Sequence, residues 1–586
     1  MPMLPFSDYR PDLSAYQAGG SSQLIQNVVP RGDGYGPFPG LNAYTQALPA
    51  PCRGFFYARK TDGSIAVFAG TATDLYLLNN TNFSWILVSK GGVSYSVLPP
   101  ANHWQFAQFG SNVIAVQPNT VPQVYDTSSS TAFADLGGSP PQASYIAVVG
   151  RFVVLSGLLS TPYRIQWSGL NAMTTWTSGV NSSDFQDFPD GGSVLGVAGG
   201  EFGVIFQQTA IRRLVYAPGS PVIFNIERIT EDKGLMAPYS LIRAANRIFF
   251  LAPQGFQSIE GTGVPVAIGK ERFDRTFFAD LDPGNLQMII GAADPAATRV
   301  YWAYKSQSGT SGQFDKLLVY DYALDRAAIV LQRGEYLASL AAPGLTLENL
   351  DALAPGTISI TGAANNGLGA IRLTLASEIA NWTYGQADTT HAAGAPGSTN
   401  LGNASQNAIE VYGVAGTTEA NGNWQFTVVD ATHIDLIGST FTHAYVSGGS
   451  IGGALDALPF SLDTISSAAL SKSSAVSTAH MLSFFSGANL EATLDSAEQG
   501  LDGGRRMRVK GFRPITDAAA CTGAVGAREN VQSAVAYSVA QPVNGKGLCP
   551  ANVSTRLARA RIDIPAGTAW SFASGVEPDF TQEGKR

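Results

Sequence analysis

Three carboxylates in the segment SSDFQDFPDGG have a spacing that suits chemistry. Asp184, Asp187 and Asp190 lie three residues apart and precede Gly191. Carboxylate oxygens bind hard cations, and glycosidases use carboxylate pairs about 5–9.5 Å apart. An acidic segment before a glycine is also typical of a solvated turn, in which the carboxylates bond to nearby backbone. The segment therefore has two interpretations, a cation or glycosidase site and a solvated turn.

The other reactive residue types are few and widely spaced. His433 and His443 lie ten residues apart and could share a zinc ion, or could be hydrogen-bonded surface histidines. The cysteines have no metal-ligand spacing, which favours free buried thiols. No nucleophile elbow, Walker loop or dinucleotide fingerprint is present. We therefore predict no catalytic, cofactor-binding or metal-ligating residue, and a protein that is not an enzyme. The cysteines are Cys52, Cys521 and Cys549.

A basic run near the C-terminus is the best candidate for an interaction surface. It contains Arg505, Arg506, Arg508, Lys510 and Arg513. Apolar residues alternate with these cations, so a strand would bury one face and expose a charged one. The charged face could form salt bridges across the sheet or could dock an acidic partner. The expected salt-bridge partners are Glu491, Asp495 and Glu498, and the arginines that would extend the patch are Arg556, Arg559 and Arg561.

The elements that position these residues are short strands. In the stretch from Gly191 to Gly261, brief apolar runs alternate with Gly, Pro and Asn, as in Ile248 to Leu251 and Phe256 to Ile259 around the turn Pro253-Gln254-Gly255. Similar units recur from Phe55 to Leu331 with a period of roughly 35–50 residues, the range of propeller blades. We predict an all-β fold, a β-propeller of about six blades closed by C-terminal strands. An array of β-sandwiches is the alternative.

Composition agrees with many strands and tight turns. Of 586 residues, 64 are Gly and 32 are Pro, and only 14% are charged. The net charge of −8 argues against a protein that grips nucleic acid through its phosphates. No apolar run approaches the ~20 residues of a membrane span. The N-terminus lacks the basic and apolar regions of a signal peptide, so we expect synthesis in a cytoplasm.

Changes in residue composition and pattern along the sequence predict four regions. Residues 1–52 form an extended N-terminal segment, and residues 53–340 form the propeller blades. Residues 356–455 form an inserted small β-barrel or Ig-like domain, in which Asn421-Gly422 marks a hairpin and Trp424, Phe426 and Val428 alternate along the returning strand. Residues 456–586 supply the C-terminal strands that complete the propeller or a platform beneath it.

Several segments of the sequence together resemble one protein family. They are VPRGDGYGPFPG, GLMAPYSLIRAANRIFFLAPQGFQSIEG and, near the C-terminus, GFRPITD…GARENV…LARARIDIPAGTAWSFASGV. They are similar to the tail nozzle proteins (tail tubular protein B, or tail hub) of short-tailed bacteriophages, in order over residues 1–340 and 456–586. The segment from Gly413 to Gly449 resembles a small β-barrel module of phage virion proteins.

The resemblance implies a structural subunit of the virion tail, made in the bacterial host. It implies a homo-oligomer, a hexameric ring below the portal and adaptor rings. That ring would form the distal nozzle and carry fibres or spikes. Genomic DNA would pass through it without sequence-specific binding, and the host cell surface is a further expected partner. The alternatives are a receptor-binding or glycan-degrading propeller and a tip or baseplate component of a long-tailed phage.

Overall fold

The structure is a computed structural model that describes residues 3–584, except for residues 15–19, 62–63, 81, 221, 245, 262, 295–296, 342–357, 378–407, 454–470 and 502–503. The chain divides into two compact units. Unit 1 comprises Met1–Leu78, Ser84–Ala342 and Ser471–Arg586, and unit 2 comprises Asn79–Phe83 and Pro343–Leu470. No helix among the described residues is long and apolar enough to cross a membrane. Besides one described α-helix, Asp274–Asp280, there are 3₁₀ turns at Lys90–Gly92, Pro189–Gly191, Pro238–Ser240, Pro283–Met288 and Thr418–Ala420.

Unit 1 contains a β-propeller, as the sequence predicted. Its first six blades follow one another along the chain, each an antiparallel sheet of four consecutive strands. Blade 1 comprises Phe55–Arg59, Ile65–Gly70, Leu75–Leu78 and Trp85–Leu87; blade 2, Gln105–Phe109, Asn112–Gln117, Thr120–Asp126 and Ala134–Asp135; blade 3, Ala143–Val149, Phe152–Leu158, Arg164–Trp167 and Asp184–Asp187. Blade 4 comprises Val194–Ala198, Gly203–Gln207, Ile211–Tyr216 and Phe224–Thr230; blade 5, Ile242–Ala244, Arg247–Ala252, Gly255–Glu260 and Val266–Ala267; blade 6, Ile290–Ala293, Arg299–Tyr304, Phe314–Asp321 and Arg326–Gly334.

The apolar runs in the sequence correspond to the second strand of each blade. All six residues of Ile65–Gly70 are buried, and so are all five of Gly203–Gln207. Each sheet is covered on both faces by its neighbours, so a central strand contacts apolar side chains on both sides and need not alternate with polar residues. Phe206 of blade 4 meets Phe250 of blade 5 in this way, with ring centroids 4.9 Å apart. The first strands of the blades pack against one another around the axis.

Blade 7 closes the ring and is assembled from three parts of the chain. Its strands, from the axis outward, are Tyr336–Ala341, Ser471–Val476, Met481–Asn489 and Pro39–Ala47. The buried carboxylate of Glu335 ties these parts together. It accepts the backbone N–H of Cys52 at 3.0 Å and contacts Nδ1 of His480 at 2.6 Å. The described strands thus form a ring of seven blades, one more than the approximately six indicated by the repeat, and the outermost closing strand comes from the N-terminal segment.

The rest of the C-terminal region forms two facing sheets, which we call the C-terminal sandwich. One sheet has the order Val28–Arg31, Gly34–Pro37, Ala573–Gln582, Met507–Thr516 and Cys549–Thr555, with Leu4–Pro5 beside Ala573–Gln582. The other extends blade 6 through Ile25–Gln26 to Ala492–Asp495, Leu557–Ile564, Thr522–Arg528 and Ala536–Tyr537, with Gln499–Gly500 and Gln541–Pro542 at its sides. Met507, Val509 and Phe512 share one core with Val525 and Ile562.

Unit 2 is a closed six-stranded barrel, so the barrel alternative of the sequence prediction is the one observed. Ile371, Leu373, Ile409, Ile434 and Ile451 fill its core and are fully buried. Its strands, in order around the barrel, are Ile358–Asn365, Ile371–Leu375, His433–Leu436, Gly422–Val428, Ala408–Tyr412 and Ser450–Gly453.

Candidate functional site

The strand Met507–Thr516, which we call the basic strand, has the alternation expected from the sequence. Met507, Val509 and Phe512 are buried, while Arg508, Lys510 and Arg513 are exposed. The pattern shifts by one residue at a bulge at Gly511. A Cβ there would lie 2.4 Å from the carbonyl oxygen of Cys549, so glycine is required. The bulge turns Phe512 into the core and Arg513 outward.

Part of the charge on this surface is neutralised, by carboxylates other than those predicted. Arg506 donates two hydrogen bonds to Glu529, at 2.9 and 2.8 Å, and Arg513 lies 3.0 Å from Glu577. Arg508 donates only to the neutral amide oxygen of Asn552, at 3.0 Å. In the part of the chain that the structure describes, Arg505, Arg508 and Lys510 have no carboxylate within salt-bridge distance. Counting the described residues alone, this surface therefore carries positive charge that no carboxylate pairs.

The expected carboxylate partners lie elsewhere in the C-terminal sandwich. Asp495 is 1% exposed and receives two hydrogen bonds from Arg561, at 2.7 and 3.0 Å, and a third from the hydroxyl of Tyr537 at 2.6 Å. Arg559 lies 3.8 Å from the same carboxylate. Arg559 and Arg561 therefore belong to a buried ion cluster and not to the basic surface. Glu498 pairs with Arg528, and Arg556 lies 3.8 Å from Glu529.

The three carboxylates of the acidic segment of blade 3 have separate side-chain partners. Asp187 accepts a bidentate pair of hydrogen bonds from Arg164, at 2.6 and 2.9 Å. Asp190 binds the guanidinium groups of Arg212 and Arg228, and Asp184 accepts from the hydroxyl of Ser178 at 2.6 Å. Each carboxylate thus has a side-chain partner of its own, which fits the interpretation of the segment as a turn.

The two histidines of the barrel also have separate partners. His433 contacts Asp430 at 2.8 Å, and His443 contacts Glu419 at 3.3 Å. Across the described residues, no group of three or more His, Cys, Asp or Glu side chains could hold a metal ion. Cys52, Cys521 and Cys549 are buried free thiols, and burial raises the pKa of the Cys52 thiol to about 12.

A cavity of about 260 Å³ lies at the axis of the propeller. Its polar wall groups come from the inner strands or the segments just before them, and they are Gln105, Tyr145, Tyr239, Arg243 and Tyr336. None of these residues stands out in the sequence, since only the ring topology brings blades 2, 3, 5 and 7 to one axis.

His103 lies behind the wall of this cavity and is 1% exposed. Its backbone N–H donates to the Tyr239 hydroxyl at 2.8 Å, and its Nε2 lies 2.9 Å from the carbonyl oxygen of Gln287. Burial lowers the pKa of His103 to about 3, so the ring is neutral and Nε2 is the donor. His103 therefore fixes the position of Tyr239 without adding charge.

Comparison with known proteins gives no family. No family and no curated protein matches the sequence. Among solved structures, the chain is similar to the extracellular domain of the one component system BT4673 from B. thetaiotaomicron, with a TM-score of 0.34 and 8% identity over 58% of this chain and 45% of that one. It is also similar to the dihydro-heme d1 dehydrogenase NirN, with a TM-score of 0.30 and 14% identity over 70% of this chain and 79% of that one. Likenesses this weak carry no argument, so the propeller assignment rests on the strand order described above.

Proposed function

We propose that the protein is a structural subunit of a bacteriophage tail, forming a ring-shaped nozzle at the distal end through which the genome is ejected. Segments of its sequence resemble the tail nozzle family of short-tailed phages over residues 1–340 and 456–586. This resemblance implies that the protein forms a homo-hexamer, that an adaptor ring lies above the hexamer, and that fibres or spikes attach to it. In such a virion the nozzle would act through surfaces between subunits.

The observation that carries this proposal is a cluster, along the sequence, of exposed apolar side chains on blade 1. Ile86, Leu87, Val93 and Val97 fall within the outer strand and the loop that follows it, and they are 43–68% exposed. Single exposed apolar residues are ordinary, but several within one short segment are consistent with a surface that another protein covers. We assign this segment to the contact between neighbouring subunits.

The basic strand is the second surface that fits an assembly. Arg508 and Lys510 project from a strand whose other face is locked into the core, so their positions are fixed by the sheet. Cations on a rim steer an acidic partner and set its register more than they add affinity. We assign this surface to an acidic neighbour such as the adaptor ring.

The DNA channel of such a nozzle would lie between subunits. The axial cavity of one propeller, about 260 Å³, is far too small for a duplex. A conduit must also release DNA, and a chain with net charge −8 avoids the phosphate contacts that would retain it.

The test is the assembly state of the purified protein. We expect light scattering and negative-stain imaging to show closed rings, and Ile86→Asp to yield monomers because a buried unpaired charge opposes association. Leu324→Asp is the matched control, since Leu324 is 39% exposed on blade 6, away from the cluster. The same imaging is repeated after the protein is mixed with the tail of its virion. If the wild-type protein is monomeric at every concentration and adds no density at the distal end of the tail, the proposal of a nozzle subunit is refuted.

A further inference from the structure

The axial cavity has the features of a ligand site that is independent of assembly. Its walls combine the rings of Tyr145, Tyr239 and Tyr336 with apolar groups such as Ile146 and Val197. Concave sites in which apolar walls meet convergent polar groups are where proteins bind small molecules. The volume of about 260 Å³ exceeds the ~150 Å³ cavity that binds benzene, so it holds one ring with substituents.

The tyrosine hydroxyls in this cavity are neutral donors in fixed positions. Burial raises the pKa of Tyr239 to about 12 and that of Tyr145 further. The oxygen of Tyr239 already accepts the N–H of His103, so its own proton is directed elsewhere. Tyr145 packs against Gly157, where a Cβ would lie 2.7 Å from the ring. These contacts fix the positions of the two tyrosine rings at the cavity wall.

Arg243 is an exposed side chain that lines the cavity and supplies its charge. Its guanidinium donates to the carbonyl oxygen of Gly199. Gly200 has a φ of +145°, and a Cβ there would overlap the guanidinium. The backbone is thus shaped around this side chain, and among the described residues no carboxylate lies within salt-bridge distance of Arg243. The residues that line the cavity include no Asp or Glu.

A second arginine reinforces the sign of the potential. Arg53 donates to the carbonyl oxygens of Pro99, at 3.0 Å, and Pro100, at 2.8 Å. It lies close enough to His103 to contribute, after burial, to the lowered pKa of that ring. The lining itself contains one cation, Arg243, and no carboxylate, which favours a negatively charged acceptor.

We propose that the axial cavity binds a small carboxylate carried on a single ring. Arg243 would form the ion pair, because a guanidinium presents two parallel N–H donors to a carboxylate. The Tyr145 and Tyr239 hydroxyls would donate to the remaining lone pairs, and the tyrosine rings would contact the faces of the ligand ring. The ring carrying the carboxylate can be aromatic or a sugar, and the two differ in how they use the aromatic walls.

The experiment compares matched probes by NMR on the full chain. The first pair is 4-fluorobenzoate and 4-fluorobenzamide, followed by ¹⁹F line broadening, and the second is glucuronate and glucose, followed by saturation transfer. We expect one or both acids to bind and the neutral partners to bind at least about tenfold more weakly, as for loss of a charge-assisted hydrogen bond. Binding by benzoate alone would identify an aromatic acid, and binding by glucuronate a sugar acid.

Two variants locate the site. Arg243→Gln should weaken binding of the acid by about tenfold or more, and Tyr145→Phe should weaken it by a smaller factor with the propeller still folded. Arg247→Gln is the control on the same blade, since Arg247 pairs with Glu260 at 3.0 Å, and it should bind like wild type. Equal affinity for acids and neutral partners, no binding of either acid, or an Arg243→Gln variant that binds like wild type would overturn the proposal. None of these outcomes depends on ring assembly.

Discussion

Asp274 is a buried carboxylate whose protonation should control the stability of blade 5. It begins the α-helix and is 7% exposed. Its Oδ1 accepts the backbone N–H of Phe256 at 3.2 Å, and its Oδ2 is buried with no hydrogen-bond partner among the described residues. Gly255 and Gly269 make room for it, because a Cβ at either would lie about 2 Å from a carboxylate oxygen. Burial, with a smaller contribution from Asp12, raises the pKa of Asp274 from 3.8 to about 6.

The raised pKa fixes the sign of the pH dependence. The folded protein holds this proton more tightly than the unfolded chain, so the stabilisation is fully present below pH 3.8 and is lost as the pH rises through about 6. At about 1.4 kcal/mol for each pH unit, the difference between 3.8 and about 6 corresponds to an upper limit of about 3 kcal/mol. Wild-type blade 5 should therefore lose up to that much free energy of opening between acidic and neutral pH.

Asp274→Asn should remove this dependence, because the amide has the same shape and carries no charge. The assay is amide hydrogen exchange, corrected for intrinsic rates, in the strand Gly255–Glu260, with Asn112–Gln117 of blade 2 as a reference inside the same molecule. Asp282→Asn is the control. A hydrogen bond from Lys305 lowers the pKa of Asp282, so the ionised form of Asp282 stabilises the fold and its contribution is lost as the pH falls, which is the opposite of Asp274. If wild type and Asp274→Asn show the same change in protection with pH, the burial argument is wrong.

Two further predictions concern other parts of the chain. Asp495→Asn leaves two arginines around a buried position, so we expect a loss of about 3–5 kcal/mol in the free energy of unfolding measured with urea, whereas Glu577→Gln, in an exposed pair, should cost less than about 1 kcal/mol; equal losses would contradict this. Replacing residues 343–470 with a two-residue turn should leave the propeller folded, because Ala341 and Ser471 are cross-strand partners, and loss of a cooperative melt would show that unit 2 is needed.

The strands of the first six blades could be predicted because their cause is local. Runs such as Ile65–Gly70 are apolar throughout, and a turn such as Pro253-Gln254 joins two strands that pair directly. The alternation along Met507–Thr516 follows from the pleat for the same reason. Residue types and short spacings therefore determined the class of fold, the hairpins, and which side chains of the basic strand face solvent.

The seventh blade and the pairing of charges depended on tertiary structure. Pro39–Ala47 and Met481–Asn489 are neighbours in space but lie more than four hundred residues apart, so no repeat in the sequence marks them. Salt-bridge partners depend on register. Asp495 lies opposite Arg561, and Arg513 opposite Glu577. The axial cavity has the same origin, because Tyr145 of blade 3 lines one cavity with Tyr239 and Arg243 only when the ring closes. Local pattern thus decides what each strand is, and long-range pairing decides which side chains can act together.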